Sequence, residues 1–190
     1  MSHEERVVAN LPVPQPERSP TNMIRQPIAP IELDRIDLKI LQALQEDGRM
    51  TNRDLAEKVA LSPSACLARV KHLEAHGVIY GYRASLAVEL IRPTIAVYAQ
   101  IAIRRHNSDA FEKFDAVLDG LPEVVEAARV SGPFDYMMKI VVTDISEWQR
   151  LADILLHENN DVEKMVTHFL VNECKRFAGF PLAPAGRGRT

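Results

Sequence analysis

TNRDLAEKVALSPSACLARVKHLEAHGVI, residues 51–79, is the stretch whose reading decides the fold. Thr51 is a good N-cap, and Asp54 three positions on sets a carboxylate beside the unpaired amides and the positive end of the helix dipole. Leu55, Ala56 and Val59 share one face at helical spacing. Ala60-Leu61 makes a turn. Ser62 caps a second helix, and Pro63 suits its first position, where an N–H would go unpaired anyway. Leu67, Val70 and Leu73 form the buried stripe, with Ala65 or Cys66 beside it. Gly77 ends the helix as a left-handed residue, and Val78-Ile79 pack back. Two short capped helices, a tight turn and a small residue at the crossing are the pattern of a helix-turn-helix, whose second helix enters the major groove of DNA.

Upstream, the spacing of Ile36, Ile40, Leu41 and Leu44 predicts a helix from about Asp34 to Glu46, ended by Asp47-Gly48. Three short helices with narrow apolar stripes cannot each stand alone, but together they close one core. Residues 49–83 hold Arg49, Arg53, Lys58, Arg69, Lys71 and Arg83 against Asp54, Glu57 and Glu74, whereas the whole chain has a formal charge of −3. A basic segment in an acidic chain is an electrostatic footprint for phosphate. The competing reading is an all-helical packing module whose charges only solvate it.

LDRIDLKIL at 33–41, the Asp47–Arg49 DGR, SPSACLARVKHLE at 62–74 and GVIYGY at 77–82 carry a resemblance. Together they resemble the N-terminal domain of the Lrp/AsnC family, the leucine- and asparagine-responsive feast/famine regulators. The resemblance covers about residues 32–182. It implies an α+β chain, with a winged-type helix-turn-helix domain followed by a ferredoxin-like βαββαβ domain that binds an effector and oligomerises.

The second half carries its own pattern. Tyr80–Leu86 reads as a short strand, and Ala87–Pro93 as a linker or hinge. Ile95–Arg104 is rich in β-formers. Asn107-Ser108 caps a helix with Phe111, Phe114, Val117 and Leu118 on one face, ending at Gly120. Val124–Val130 and Tyr136–Val142 are strands on either side of a Ser131-Gly132-Pro133 turn. A helix from Ser146 to about His157 turns Trp148, Leu151, Ala152 and Leu155 inward. Val162–Asn172 is the last strand. The order β-α-β-β-α-β gives a four-stranded antiparallel sheet with both helices on one face. Apolar residues on both faces of IAVYAQIAI and MMKIVV predict that another subunit covers the other face. The expected boundaries are a Pro-rich arm over 1–31, the DNA-binding domain over 32–80, a strand and hinge over 81–93, the effector domain over 94–182 and a tail over 183–190. Six of the twelve prolines lie in the arm, where Arg18 or Arg25 offers a DNA contact and an inert extension is the simpler expectation.

Composition narrows the classes further. No apolar run reaches the roughly 18–20 residues of a membrane span, and residues 1–30 lack the continuous apolar core of a secretory signal. A cytoplasmic, nucleoid-associated protein is expected, with Cys66 and Cys174 as reduced small hydrophobes. The six histidines are scattered. His72 and His76 stand i,i+4 on one helix, but Glu74 points away, and a solvated or DNA-facing pair is expected rather than a metal site. There is no Gly-rich phosphate loop, no G-x-S-x-G and no C-x-x-C. Asp115 and Asp119, i,i+4 on a helix, read as a solvated face. No catalytic residue, metal or cofactor is expected. A small-molecule enzyme or ligand-binding module built on the C-terminal sheet is the alternative function, because ferredoxin-like dimers include enzymes.

Residue roles follow. Arg49, Thr51 and Arg53 are expected to hold phosphates. Ser62, Ser64 and Ala65, at the N-terminal end of the recognition helix, are expected near base edges, Ala65 against a thymine methyl. Arg69, and less directly Lys71 or His72, reaches guanine or phosphate. A two-fold dimer presents two such helices and favours a palindromic double-stranded site. The resemblance further implies assembly to tetramers or octamers that bend or wrap DNA, and an amino-acid effector at a dimer–dimer interface. The matching motif is VSGPFDY, Val130–Tyr136. Asp135 is then the partner of the effector's ammonium, amides around Gly132 and Ser131 hold its carboxylate, Tyr136 closes over its side chain, and Thr143 and Ile145 line the same pocket. Pro133 removes one amide donor from that loop. The plain alternative is a hairpin turn in which Gly132-Pro133 bends the chain and Asp135 bonds the turn's own backbone.

Overall fold

The computed structural model describes residues 31–157 and 160–182. The arm expected over 1–31 and the tail over 183–190 lie outside these residues, save Ile31. Two compact units result: residues 31–85 together with 176–182, and residues 86–175.

The first unit is built from α1 (Arg35–Glu46), α2 (Asn52–Lys58) and α3 (Pro63–Ala75). Each start is fixed by its cap. Asp34 Oδ1 accepts from the Ile36 and Asp37 amides at 2.7 and 2.8 Å, and Asp37 returns the bond by accepting the Asp34 amide at 3.1 Å. Such a reciprocal box satisfies three of the amides that a helix start leaves unpaired. Thr51 caps α2 through the Asp54 amide, and Ser62 caps α3 through the Ala65 amide. The α2–α3 turn puts Ala60 at φ 59°, a left-handed position without a glycine. Gly77, at φ 68°, closes α3: its amide bonds Glu74 O and the Val78 amide bonds Leu73 O. This is the two-bond stop that a left-handed glycine permits. Ile40, Leu44, Leu55, Val59, Cys66, Val70 and Leu73 form the core, with Val78, Ile79 and Tyr82 packed against it. Burial raises the Cys66 thiol above its ordinary pKa.

Residues 176–182 belong to this unit, where sequence placed them in the effector domain. The Phe180 amide donates to Gln45 Oε1 at 2.6 Å, and Gln45 Nε2 donates to Phe180 O at 3.2 Å. A single glutamine amide thus pairs with the tail backbone as a neighbouring strand would. Gly179, at φ 109°, permits the approach, since a Cβ there would lie 2.9 Å from Gln45 Oε1.

The second unit contains β1 (Ile95–Ile103), α4 (Ser108–Asp119), β2 (Val124–Arg129), β3 (Tyr136–Val142), α5 (Ile145–Leu155) and β4 (Val162–Phe169). Its antiparallel sheet has the order β2-β3-β1-β4, with Ala99 opposite both Met138 and Thr167. Alternate residues of the two central strands, Val97, Ala99, Ile101 and Ile103 with Tyr136, Met138, Ile140 and Val142, are buried. They pack with Ala110 and Phe114 of α4 and Trp148, Leu151 and Leu155 of α5. Asn107 caps α4 and Asp144 caps α5. The intervening positions form the other face, where Tyr98 and Met137 are 38% and 46% exposed and Lys139 Nζ sits 5.9 Å from the Tyr98 ring.

Two expectations need correction. Tyr80–Leu86 is not a strand; it joins no ladder, and a short 3₁₀ turn follows at Val88–Leu90. Of this stretch only Tyr80 and Tyr82 are strong β-formers, and an extended segment acquires strand bonding only where a neighbour supplies amides and carbonyls. β4 also stops at Phe169 rather than Asn172, because the ladder to β1 ends at Val97.

Candidate functional site

The exposed side of α3 is a stripe of Ser64, Ala65, Ala68, Lys71, His72 and Ala75, opposite the buried Cys66, Val70 and Leu73. Helical periodicity places Ala68 at its centre. Sequence had not singled out Ala68, since an alanine on a short helix reads equally as core or surface; only the register of the buried face separates the two. The centre of this stripe is bare of long side chains, which lets a helix approach a groove closely. Ser64 Oγ lies 3.2 Å from Ser62 Oγ, whose lone pairs also serve the Ala65 amide. Thr51 likewise spends its hydroxyl on Asp54. Both caps therefore contribute by orienting helix starts. Arg49 and Arg53 are exposed, as are Lys71 and His72. His72 and His76 sit ring against ring at 4.1 Å, and His76 Nδ1 lies 2.8 Å from His72 O. Asn52 Nδ2 bonds Pro63 O at 2.8 Å and so ties the start of α2 to the start of α3.

Arg69 departs from its expected place. Its Nη1 donates to Asp34 Oδ2 at 2.7 Å and Asp37 Oδ1 at 2.8 Å. The guanidinium is the bridge between α3 and the cap of α1, not a cation held out towards a groove. The bonds from Asp37 and then Asp34 raise its already high pKa, while the Asp37 amide, ahead of Arg69, lowers that of Asp34. Lys58 is similarly spent on Glu46 at 2.7 Å. The stripe's own cation is thus Lys71, with Arg49 and Arg53 before it.

The Val130–Tyr136 motif forms the β2–β3 turn. Ser131 and Gly132 are exposed, and Gly132 takes φ 135° with open space around it. Asp135 is drawn inward. Its Oδ2 accepts the Ile103 amide at 2.7 Å, and both carboxylate oxygens face His106 Nε2, at 3.1 and 3.2 Å. Neither the ammonium-binding reading nor the turn-bonding one describes this state: the carboxylate bonds across to the end of β1. His106 was not found from sequence, because 32 residues separate Ile103 from the aspartate that gathers both groups.

Tyr136 does not stand over the turn. It is 1% exposed, on the helix-covered face. Its hydroxyl donates to Asp115 Oδ1 at 2.7 Å and accepts from Arg129 Nε at 3.1 Å, while Arg129 Nη2 holds Asp115 Oδ2 at 2.5 Å. Burial, followed by Asp115, pushes the phenol pKa well up. Asp115 is therefore no solvated-face residue; α4 turns it onto the sheet. Thr143 and Ile145 also part from the motif. They follow the far end of β3, and Thr143 stands seven steps along the chain from Tyr136, roughly 23 Å at ~3.3 Å per residue. One chain cannot place both ends in one small pocket. Thr143 instead bonds Glu147 through amide and hydroxyl, at 2.6 and 2.8 Å, which lowers the pKa of that glutamate.

Residues 33–80 match the winged helix-turn-helix DNA-binding family, and residues 96–179 match the Lrp/AsnC ligand binding domain. A leucine-responsive regulatory protein of Haemophilus influenzae is 43% identical over 144 residues, 76% of this chain and 87% of the relative. The transcriptional regulatory protein DoeX of Halomonas elongata is 40% identical over 146 residues, 77% and 92% of the two chains. A Neisseria meningitidis transcriptional regulator, solved as a complex with L-methionine, superposes with a TM-score of 0.74 at 36% identity, covering 80% of this chain and 98% of the other. With both halves matched in order, and with the capped α2–α3 pair and the β2-β3-β1-β4 sheet in place, the chain belongs to the Lrp/AsnC family of DNA-binding transcription regulators.

Proposed function

We propose that this regulator reads DNA through the Ser64–Ala68–Lys71 stripe of α3 and changes its binding when a free amino acid occupies the β2–β3 turn. The observation that carries the first part is the stripe: small residues at the centre, His72 and Lys71 at its edges, and Arg49 and Arg53 exposed nearby. Ala65 and Ala68 offer methyl contacts to thymine, and the cations hold phosphate. Support for the second part comes from the L-methionine complex of the Neisseria relative and from the open Gly132 backbone. Amides around Ser131 and Gly132 receive the effector carboxylate. An ammonium reaches Asp135 only by displacing His106.

A second copy of the chain covers the open sheet face around Tyr98 and Met137, and pairing of dimers brings the turn of one chain near Thr143 and Ile145 of another. The role is regulatory rather than enzymatic: the half-buried Tyr136–Asp115–Arg129 group is internally paired, and His106 and Asp135 face each other. Among the described residues no helix is long and apolar enough to cross a membrane; we place the protein in the cytoplasm, on the nucleoid. The effector must bind one assembly more tightly than another to act. Sedimentation and DNA footprinting with a panel of amino acids that includes L-methionine and L-leucine test this. The expected result is a shift in assembly size or footprint with at least one of them; no change with any would end the effector reading while leaving DNA binding intact.

A further inference from the structure

We propose that Arg69 is a positioning residue: it locks α3 to the cap of α1 and so fixes the angle at which Ser64, Ala65 and Ala68 meet base edges, without touching DNA. The inference rests on the α3 stripe being the DNA face.

Every carboxylate oxygen of the cap pair is already assigned. Asp34 Oδ1 holds two α1 amides and Asp37 Oδ2 holds the Asp34 amide. The remaining pair, Asp34 Oδ2 and Asp37 Oδ1, converge on one nitrogen of Arg69. The box that starts α1 is therefore also the receptor for α3. Few other bonds restrain how α3 turns about its own axis: its start is tied by Asn52 at Pro63, nearly two turns before Arg69, its end by the Tyr82 hydroxyl on Glu74, and its core face is apolar and can slip. A two-carboxylate clamp on a planar guanidinium supplies the missing directional restraint.

Electrostatics argue in the same direction. One guanidinium between two carboxylates leaves the cluster with a net charge of −1, which repels phosphate. Arg69 also lies about 100° around the helix from Ala68, on the flank between the exposed stripe and the core. Moving the guanidinium to DNA would leave the 12%-exposed Asp37 carboxylate without its cation, a costly state.

The test uses the full chain and two duplexes: one selected by the wild-type protein from a randomised library, and one of random sequence. Affinities are measured over a salt series for Arg69→Gln, Arg69→Lys, Asp37→Asn and the Arg69→Gln/Asp37→Asn pair, with circular dichroism to confirm helix content. Positioning predicts that Arg69→Gln and Asp37→Asn each lose at least tenfold on the selected duplex, keep their affinity for random duplex, and do not add in the pair. The slope of log affinity against log salt stays unchanged. A direct phosphate contact would instead reduce that slope by about 0.9. A slope change of that size, selected-duplex binding by Asp37→Asn at or above wild type, or parallel loss on both duplexes would overturn the proposal; the last would mean a stability effect alone. Should Arg69→Gln lose its helices, Arg69→Lys and Asp37→Asn carry the same comparison. Lys71→Gln is the control for the face itself: its slope should fall by about 0.9, and if it does not, the assignment of the stripe fails rather than the clamp.

Discussion

Replacing Tyr136 with phenylalanine separates the family expectation from the geometry. The expectation sets the tyrosine over the effector; the structure buries it on the opposite side of β3, with its hydroxyl between Asp115 and Arg129. Phe fits the same volume, so no cavity opens and the change removes only the hydroxyl. Two bonds to charged groups are lost, each of a kind that contributes roughly 1.5–3 kcal/mol. Asp115 and Arg129 keep their mutual contact, and their side chains are 25% and 27% exposed, so water replaces part of what is lost. The net cost is then at the low end, about 1.5 kcal/mol for the pair of bonds. Trp148 is the chain's single tryptophan and lies in this core, so its fluorescence follows the second unit alone. With an m-value of about 1–1.5 kcal/mol per molar urea for a unit of this size, the midpoint should fall by about 1–1.5 M. Asp115→Asn should couple to it in a double-mutant cycle. A midpoint within about 0.3 M of wild type, together with a selective loss of effector response, would refute the buried assignment and return Tyr136 to the effector turn.

Other outcomes follow from single contacts. Asp135→Ala should destabilise the second unit by about 1–3 kcal/mol in the same fluorescence assay, since it orphans the Ile103 amide, while Asp135→Asn, which keeps an acceptor, should cost much less; equal stability of the two would remove the amide from its role. Ala60→Gly should raise the melting temperature of the first unit, by relief of up to roughly 1 kcal/mol of left-handed strain, and a fall would show that chain entropy dominates there. Gly179→Ala should release residues 176–182 from Gln45, read as faster amide exchange at Phe180 and faster proteolysis of the tail; unchanged exchange would contradict the close approach. Asp34 and Glu147 have folded pKa values below their ordinary ones, so the unfolded chain takes up protons first as pH falls: stability should drop below about pH 4. Tyr82 and Tyr136 are shifted up, so above about pH 10 the unfolded chain loses protons first and stability should drop again. Urea midpoints across pH check both limbs.

Helix ends and strand alternation were legible because they are local. Thr51, Ser62, Asn107 and Gly77 act within four residues of themselves, and each sits where the sequence placed it. Strands β1 and β3 announced both their faces through period two, and the turn between β2 and β3 through Gly132-Pro133. What escaped was every contact whose partner lies far along the chain. Arg69 meets Asp34 and Asp37 across 35 and 32 positions, and Phe180 meets Gln45 across 135. Sequence shows that these side chains exist but not which of them meet. Tyr80–Leu86 failed for a related reason: a strand is a property of two segments, and only one was in view.

The misplaced residues share a feature. Arg69, Asp135 and Tyr136 are polar residues of the two motifs that carry the family resemblance, and such residues invite assignment to ligand. In the structure each closes a contact within its own unit: cap to recognition helix, turn to β1, sheet to α4. A motif can recur because it binds something, or because it holds the binding surface in place, and residue type does not separate the two. Burial and prior partners do. The Asp135 carboxylate already holds an amide at 2.7 Å and faces His106, so a ligand must compete with partners in place, whereas Lys71 on the exposed stripe gives up only water. By that criterion we place the reading surface on the unassuming residues, serine, two alanines and a lysine, and assign to the charged cluster beside them the task of keeping that surface aimed.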